Sequence, residues 1–296
     1  MECEAAPWYS AATSEPQDAA VTTAADNARR EGPRPALPGR RRSPAEDRKF
    51  VTALARGLDV LRAFGPRDRW LTNQEMSKRT GLAKPTVSRL AYTLTRIGFL
   101  RFSDQRNKYA LGSAAVHLGY TALGQMEVRQ VARPLMQELS QHAKASVHLA
   151  IADRRSMQVV DTYWDTAAFV VDIGSRVPMA TTSLGRAFVC ALPPPERKRQ
   201  MEWLREARPD DWPNTRKRLE QSFRDYEELG FCFGLGDWRR EVNAVAVPLV
   251  PPDGSEPVVI GCSGPAFQLG PEALRRDVGP RLLALVGNVL SALRRD

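Results

Sequence analysis

Soft metal ligands are scarce in this chain: 296 residues hold three histidines and four cysteines. Cys3, Cys190, Cys232 and Cys262 lie far apart and match no metal-binding spacing. They fit buried, inert thiols in a reducing compartment. His117, His142 and His148 fall on apolar helix or strand faces and read as structural residues. No GxSxG, HExxH, Walker loop or cysteine cluster is present. Ser183, in TTSLGRA, reads as a helix cap rather than a nucleophile, and neither Cys190 nor Cys262 carries a cue for an activating base. Neither an enzyme, a cofactor nor a metal is therefore expected. No apolar run approaches the ~20 residues of a membrane span, and the first residues lack the apolar segment of a secretory signal. The expected location is the cytoplasm, at the nucleoid. Internal repeats are absent as well.

What the chain does have is positive charge in one place. The formal net charge is +9. Residues 1–47 carry 6 basic and 8 acidic side chains, residues 48–112 carry 14 and 4, and residues 113–296 carry 23 and 22. The excess sits in the middle segment, which is the electrostatic footprint of a polyanion partner. A merely solubilising surface would not be confined to 65 residues.

Four regions follow. Residues 1–47 have no helical or strand period and read as a disordered tail. Arg29 to Arg42 holds six arginines and one glutamate. That stretch is open to three readings: an arm along phosphate or a minor groove, a tail without function, or a start assigned too far upstream. Residues 48–112 read as a winged helix-turn-helix. A first helix from about Phe50 to Phe64 lines Val51, Leu54, Leu58 and Leu61 on one face and stops at Gly65-Pro66. Trp70-Leu71 forms a short apolar clasp. Thr72 and Glu75 form a capping box for a brief second helix that ends at Gly81. Pro85 suits the first turn of a third helix. There Val87, Leu90, Ala91, Leu94 and Ile97 are expected to face inward, with Gly98 ending the helix. Two strands, Phe99–Phe102 and Tyr109–Leu111, flank the polar turn Asp104-Gln105-Arg106-Asn107.

Residues 113–127 read as a linker helix of small residues that also suits a dimer contact. In residues 128–296 an amphipathic helix, Val128–Lys144, contains Pro134 as a candidate kink. Apolar runs at Val147–Ala152, Gln158–Tyr163 and Phe169–Ile173 read as strands. A loop and helix run from Gly174 to Leu192. Two polar helices near 194–207 and 214–229, strands at 231–237, 242–250 and 257–263, and a final helix over 271–294 complete an α+β domain.

The third helix turns Lys84, Thr86, Ser88, Arg89, Tyr92, Thr93 and Arg96 outward. Arginine can bind guanine through two hydrogen bonds and threonine can touch a thymine methyl, which is the chemistry of major-groove reading. Arg101, Arg106 and Lys108 on the wing suit flanking phosphates of double-stranded DNA.

This arrangement resembles the IclR family of bacterial transcription regulators over about residues 50–294. The matching segments are LARGLDVLRAF, LAKPTVSRLAYTLTRIGFL, KYALG, GSRVPMATTSLGRA, LGFCFGLGDW, NAVAVPLV and VVIGCSGP. The resemblance implies a winged-helix domain, a linker helix and a GAF-like effector-binding domain. It also implies a dimer, in many members paired into a tetramer, on a partly palindromic operator. A small-molecule effector, commonly an organic or aromatic acid, controls repression or activation in such proteins. The effector positions matched by the resemblance are Ser183, Leu184, Gly234, Asp237, Ala244, Gly261 and Ser263. Members that hold small keto acids place an acid, a cysteine and a serine where this chain has Gly234, Ala244 and Gly261. A roomier, less polar site is the expectation. Asp237 reads as a partner for Arg239 or Arg240 as readily as a ligand contact, and Trp164 and Trp238 read as pocket walls or as core. Two other readings stand beside a regulated DNA binder. One is a constitutive architectural protein whose second domain only oligomerises, and the other is an enzyme with a DNA-binding appendage.

Overall fold

The computed structural model describes residues 49–164, 169, 171–252 and 254–294; the expected tail lies outside them. Its first part comprises α1 (Thr52–Arg62), α2 (Asn73–Thr80), α3 (Lys84–Arg96) and a hairpin of β1 (Leu100–Ser103) and β2 (Lys108–Leu111). The capping box forms as the sequence indicates. The Thr72 hydroxyl accepts from the Glu75 N–H at 3.1 Å, and the Glu75 carboxylate accepts from the Thr72 N–H at 2.7 Å. Those bonds hold the Glu75 carboxyl below its ordinary pKa. Gly81 ends α2 at φ +71°, where a side chain would be strained. Val60, Leu71, Met76, Val87, Ala91, Leu94 and Leu100 close the core. Leu71 and Tyr109 exchange backbone hydrogen bonds, each 2.8 Å, an isolated antiparallel bridge that ties the clasp to the wing.

One face was left open by the sequence and one expectation fails here. On α1 the buried residues are Gly57 and Val60, whereas Val51, Leu54 and Leu58 are exposed. Helical spacing shows that an apolar face exists but not what covers it. Ile97 is also exposed, because α3 ends at Arg96 and Gly98 (φ +80°) turns the chain away.

The linker is α4 (Ser113–Gly124), which buries no residue and exposes Val116, Leu118 and Tyr120. Then α5 (Glu127–Ala143) runs through Pro134 without ending there.

The second part is built on a six-stranded antiparallel sheet in the order β5-β4-β3-β8-β7-β6. The strands are β3 (Ser146–Asp153), β4 (Ser156–Tyr163), β5 (Arg176–Pro178), β6 (Cys232–Leu235), β7 (Val242–Leu249) and β8 (Val258–Pro265). Of the run expected as a strand over Phe169–Ile173, the described residues Phe169 and Val171 to Ile173 are not in one: the third strand of this group is β5, a few residues later. Phe169 and Val171 instead pack, outside any strand, on the core shared with α6. Burial cannot by itself distinguish a strand from a covering loop.

Both faces of the sheet are covered. Alternation along the strands sends Val147, Leu149, Val245, Val247, Ile260 and Cys262 toward α5 and the C-terminal helix. It sends Ala150, Val159, Ala246 and Val259 to the face packed by α6 (Ser183–Ala191), with α7 (Pro194–Ala207) and α8 (Trp212–Leu229) beside it. The expected helix over 271–294 is continuous, running as α9 (Pro271–Ala273), a π-helical turn (Leu274–Val278) and α10 (Gly279–Leu293). The Gly279 N–H reaches back five residues to the Leu274 carbonyl. Pro280 has no N–H to offer Arg276 in an α register, so the wider turn is tolerated there.

Candidate functional site

The outward face of α3 is laid out as its period requires. Lys84, Ser88, Arg89, Tyr92, Thr93 and Arg96 are exposed, and Thr86 is half-buried. Among the described residues, no ion pair engages Lys84, Arg89 or Arg96. Asn73 on α2 donates to the Ser88 hydroxyl at 2.7 Å, and the Thr93 hydroxyl donates back to the Arg89 carbonyl at 3.1 Å. On the wing the Arg101 and Arg106 guanidiniums lie over the Trp70 ring, 4.9 and 5.7 Å from its centroid. Trp70 is therefore a stacking platform as well as a clasp, and it restrains two long cationic side chains without removing their charge. Lys108 is half-buried beside them.

The second site is a partly open cavity between the sheet and the start of α6. Thr182 sets its roof. The Thr182 hydroxyl accepts from the Gly185 N–H at 3.2 Å and donates to the Pro178 carbonyl at 2.7 Å. Thr182 O accepts the first intrahelical bond, from the Arg186 N–H. The Ser183 and Leu184 amides precede that bond, so they are free donors at the positive end of the helix dipole. The lining is largely apolar: Phe169, Val171, Val177, Leu184, Trp238, Val242 and Ala244. Arg239 closes the rim, its guanidinium 4.9 Å from the Trp238 ring and 5.6 Å from the Phe169 ring.

Two glycines shape the space in different ways. A Cβ on Gly234 would come 3.1 Å from the Ser183 nitrogen, so glycine there leaves that amide uncovered. A Cβ on Gly261 would come 2.8 Å from the Leu184 side chain. The room a larger residue would fill at 261 is thus taken by Leu184, and extra volume is gained at Gly234 but not at Gly261.

One polar chain crosses the cavity floor. His148 on β3 lies between Thr162 and Ser263: its Nδ1 meets the Thr162 hydroxyl and its Nε2 lies 2.9 Å from the Ser263 hydroxyl. Burial pushes the His148 pKa down to about 4, so the ring is neutral at pH 7.

Six of the seven candidate effector residues (Ser183, Leu184, Gly234, Ala244, Gly261 and Ser263) line this cavity. Asp237 does not. It pairs with Arg186 at 2.7 Å and with Arg218, rather than with Arg239 or Arg240. Arg186 is buried on α6 and also donates to the Phe233 carbonyl at 3.1 Å, so the Asp237 pair clamps α6 onto β6. Burial holds the Arg186 pKa below its usual value. Trp164 is exposed and is not part of this cavity's lining, whereas Trp238 is a wall. His117 and His142 are not on buried faces: both are exposed, and His142 pairs with Asp277 at 2.9 Å. Cys190, Cys232 and Cys262 are buried, and burial pushes the Cys262 thiol up to about 12.

Comparison with known proteins decides the identity. The model of the IclR helix-turn-helix domain matches residues 53–104, and that of the bacterial transcriptional regulator IclR C-terminal domain matches residues 120–286. The chain belongs to the IclR family. It is 32% identical over 249 residues to the HTH-type transcriptional regulator TsaQ1/TsaQ2 of Comamonas testosteroni, covering 83% of this chain and 89% of that protein. An IclR family transcriptional regulator from Brucella abortus superposes with a TM-score of 0.73 at 47% identity, over 83% of this chain and 94% of that one. The fold is shared with an IclR homolog from Microbacterium hydrocarbonoxydans complexed with 4-hydroxybenzoate, at TM-score 0.65 and 20% identity, over 83% and 100% of the two chains. An IclR family member is a transcription regulator rather than an enzyme, with a DNA-binding and a C-terminal domain. Among the described residues, no helix is long and apolar enough to cross a membrane.

Among the cavity residues of this regulator that sequence reasoning missed are His148, Phe169 and Arg239. His148 carried the one available signal, a lone polar residue inside the apolar run of β3. Its partners stand 14 and 115 positions away, so no local pattern could name them.

Proposed function

We propose that this IclR family member changes its operator affinity when an aromatic acid enters the cavity beneath α6. The observation that carries this reading is an apolar cavity lined at one end by the start of α6, where the Ser183 and Leu184 amides are not used by the helix, with Arg239 also on its lining. Such an end suits a carboxylate, and flat apolar walls suit a ring. A relative of the same fold was crystallised with 4-hydroxybenzoate, an aromatic acid.

The outward residues of α3, Lys84, Thr86, Ser88, Arg89, Tyr92, Thr93 and Arg96, enter the major groove of double-stranded DNA. Arg101, Arg106 and Lys108 hold the backbone. A second copy of the chain completes the operator contacts, because one winged domain reads few base pairs and two multiply them. The exposed apolar residues of α1 and α4 support that pairing. A physical link between sites is at hand. The cavity wall at Val171 continues into Asp172, whose carboxylate lies 3.6 Å from Arg67 Nε in the turn before α2. An effector that repositions this segment alters this solvent-exposed contact with the DNA-binding part, itself worth about 0–1 kcal/mol at most. A coupling of about 1–3 kcal/mol, roughly 5- to 150-fold in affinity, is the usual scale.

The test is operator binding titrated with substituted benzoates and aliphatic acids of matched charge. Aromatic acids are expected to shift affinity and raise the melting temperature. Aliphatic acids acting alone would redirect the effector class. Tight operator binding that no acid alters, with no thermal shift, would favour the constitutive architectural reading.

A further inference from the structure

We infer that the effector must donate a hydrogen bond, through a hydroxyl on its skeleton remote from the carboxylate, to Ser263, and that His148 is the positioning residue that makes Ser263 an acceptor. This rests on the acid-binding reading above and narrows it.

The argument is an assignment of protons along four groups. The Val171 carbonyl can only accept, and the Thr162 hydroxyl lies 3.2 Å from it. Thr162 has one proton and gives it there. Toward His148 Nδ1, Thr162 therefore accepts, and Nδ1 must carry the ring proton. A neutral imidazole protonated at Nδ1 has a bare Nε2. The Ser263 hydroxyl, 2.9 Å away, donates to that nitrogen. With its proton committed to the floor, Ser263 Oγ turns only lone pairs toward the cavity it lines.

Polarity is thus opposite at the two ends. Gly234, Ala244 and Ser263 sit in one row across β6, β7 and β8. At ~4.8 Å per strand, Ser263 lies on the order of 10 Å from Gly234, above which the Ser183 amide stands. Donors occupy the Ser183 end and an acceptor the Ser263 end. A carboxylate placed on Ser263 would set lone pairs against lone pairs, so the acid is oriented toward α6. The far end of the ligand is left to satisfy Ser263 with a donor. Buried polar groups left unpaired are what let such sites reject an analogue lacking the hydroxyl.

The experiment is calorimetric titration of the full-length protein with benzoate, 3- and 4-hydroxybenzoate and their methyl ethers. The methyl ether keeps the oxygen but removes its proton. One hydroxybenzoate is expected to bind at least tenfold tighter than both its parent acid and its ether. Ser263→Ala should bring that hydroxybenzoate down to the level of the parent. His148→Phe frees the Ser263 proton, so the hydroxyl-to-ether ratio should fall toward one; a purely structural role for His148 would lower all affinities and leave the ratio alone. Equal binding of hydroxyl, ether and parent by the wild type overturns the inference while leaving the acid reading intact. Binding of none of these acids overturns both.

Discussion

The two surfaces assigned to binding are made in opposite ways. The α3 face comes from one stretch of 13 residues whose helical period alone turns Lys84, Arg89, Tyr92 and Arg96 to solvent. The cavity draws His148 from β3, Ser183 and Leu184 from α6, Gly234 from β6, Ala244 from β7 and Ser263 from β8. One is exposed, cationic and local. The other is buried, mostly apolar and assembled across more than a hundred positions. The difference teaches where an error is costly. A polar residue on α3 is hydrated whether or not DNA is present, whereas each polar group on the cavity floor must find a partner within the protein.

The sharpest way to break this contrast is Arg89→Ala combined with Thr86→Ala. With ~1–3 kcal/mol for each base-reading contact, operator affinity should fall by at least roughly 30-fold, while the thermal shift with ligand stays as in the wild type. Gel-shift and melting assays on one preparation check both halves. A lost ligand response in this variant would show that the surfaces are not separable.

Acid should act on the cavity and spare α3. His148 has a folded pKa near 4 against 6.5 for the free side chain. On acidification the unfolded chain takes up that proton first, so stability present above pH 6.5 is lost as pH falls toward 4. The loss is on the order of 3 kcal/mol. Denaturant titrations of wild type and His148→Phe between pH 7 and 4.5 measure it; parallel curves for the two proteins would refute the assignment.

Gly234→Val tests the cavity's donor end. Its Cβ would crowd the Ser183 amide, so acid binding should weaken by at least about tenfold, or 1.4 kcal/mol, with operator affinity of the free protein kept. Gly234→Ala should fall between the two. An unchanged Kd for acid would move the carboxylate elsewhere.

Thr72→Ala has the smallest expected effect. Removing one half of the capping box should cost ~1 kcal/mol of stability, seen as a lower denaturation midpoint. Ligand affinity should not change, since α2 shares no wall with the cavity.

Legibility of the molecule followed the same division. The capping box, Gly81, Pro85 and the buried trio Val87, Ala91 and Leu94 could be read because each depends on neighbours within a few residues. Whether the α1 face is covered could not be read, because Val51, Leu54 and Leu58 satisfy the helical period equally well on a covered and on an open side. Phe169–Ile173 looked like a strand because loop and strand can bury the same apolar run. Asp237 was matched to Arg239 and Arg240, its neighbours in sequence, but Arg186 and Arg218 reach it in space.

By itself the sequence determined the helix-turn-helix, the place of the positive charge and the alternation that makes each strand two-faced, since these arise from backbone period and local hydrogen bonding. Tertiary structure alone decided which face of α1 is covered, which arginines hold Asp237, and that His148 meets Thr162 and Ser263. Those outcomes depend on strand register and helix packing, which join residues that no local interaction connects.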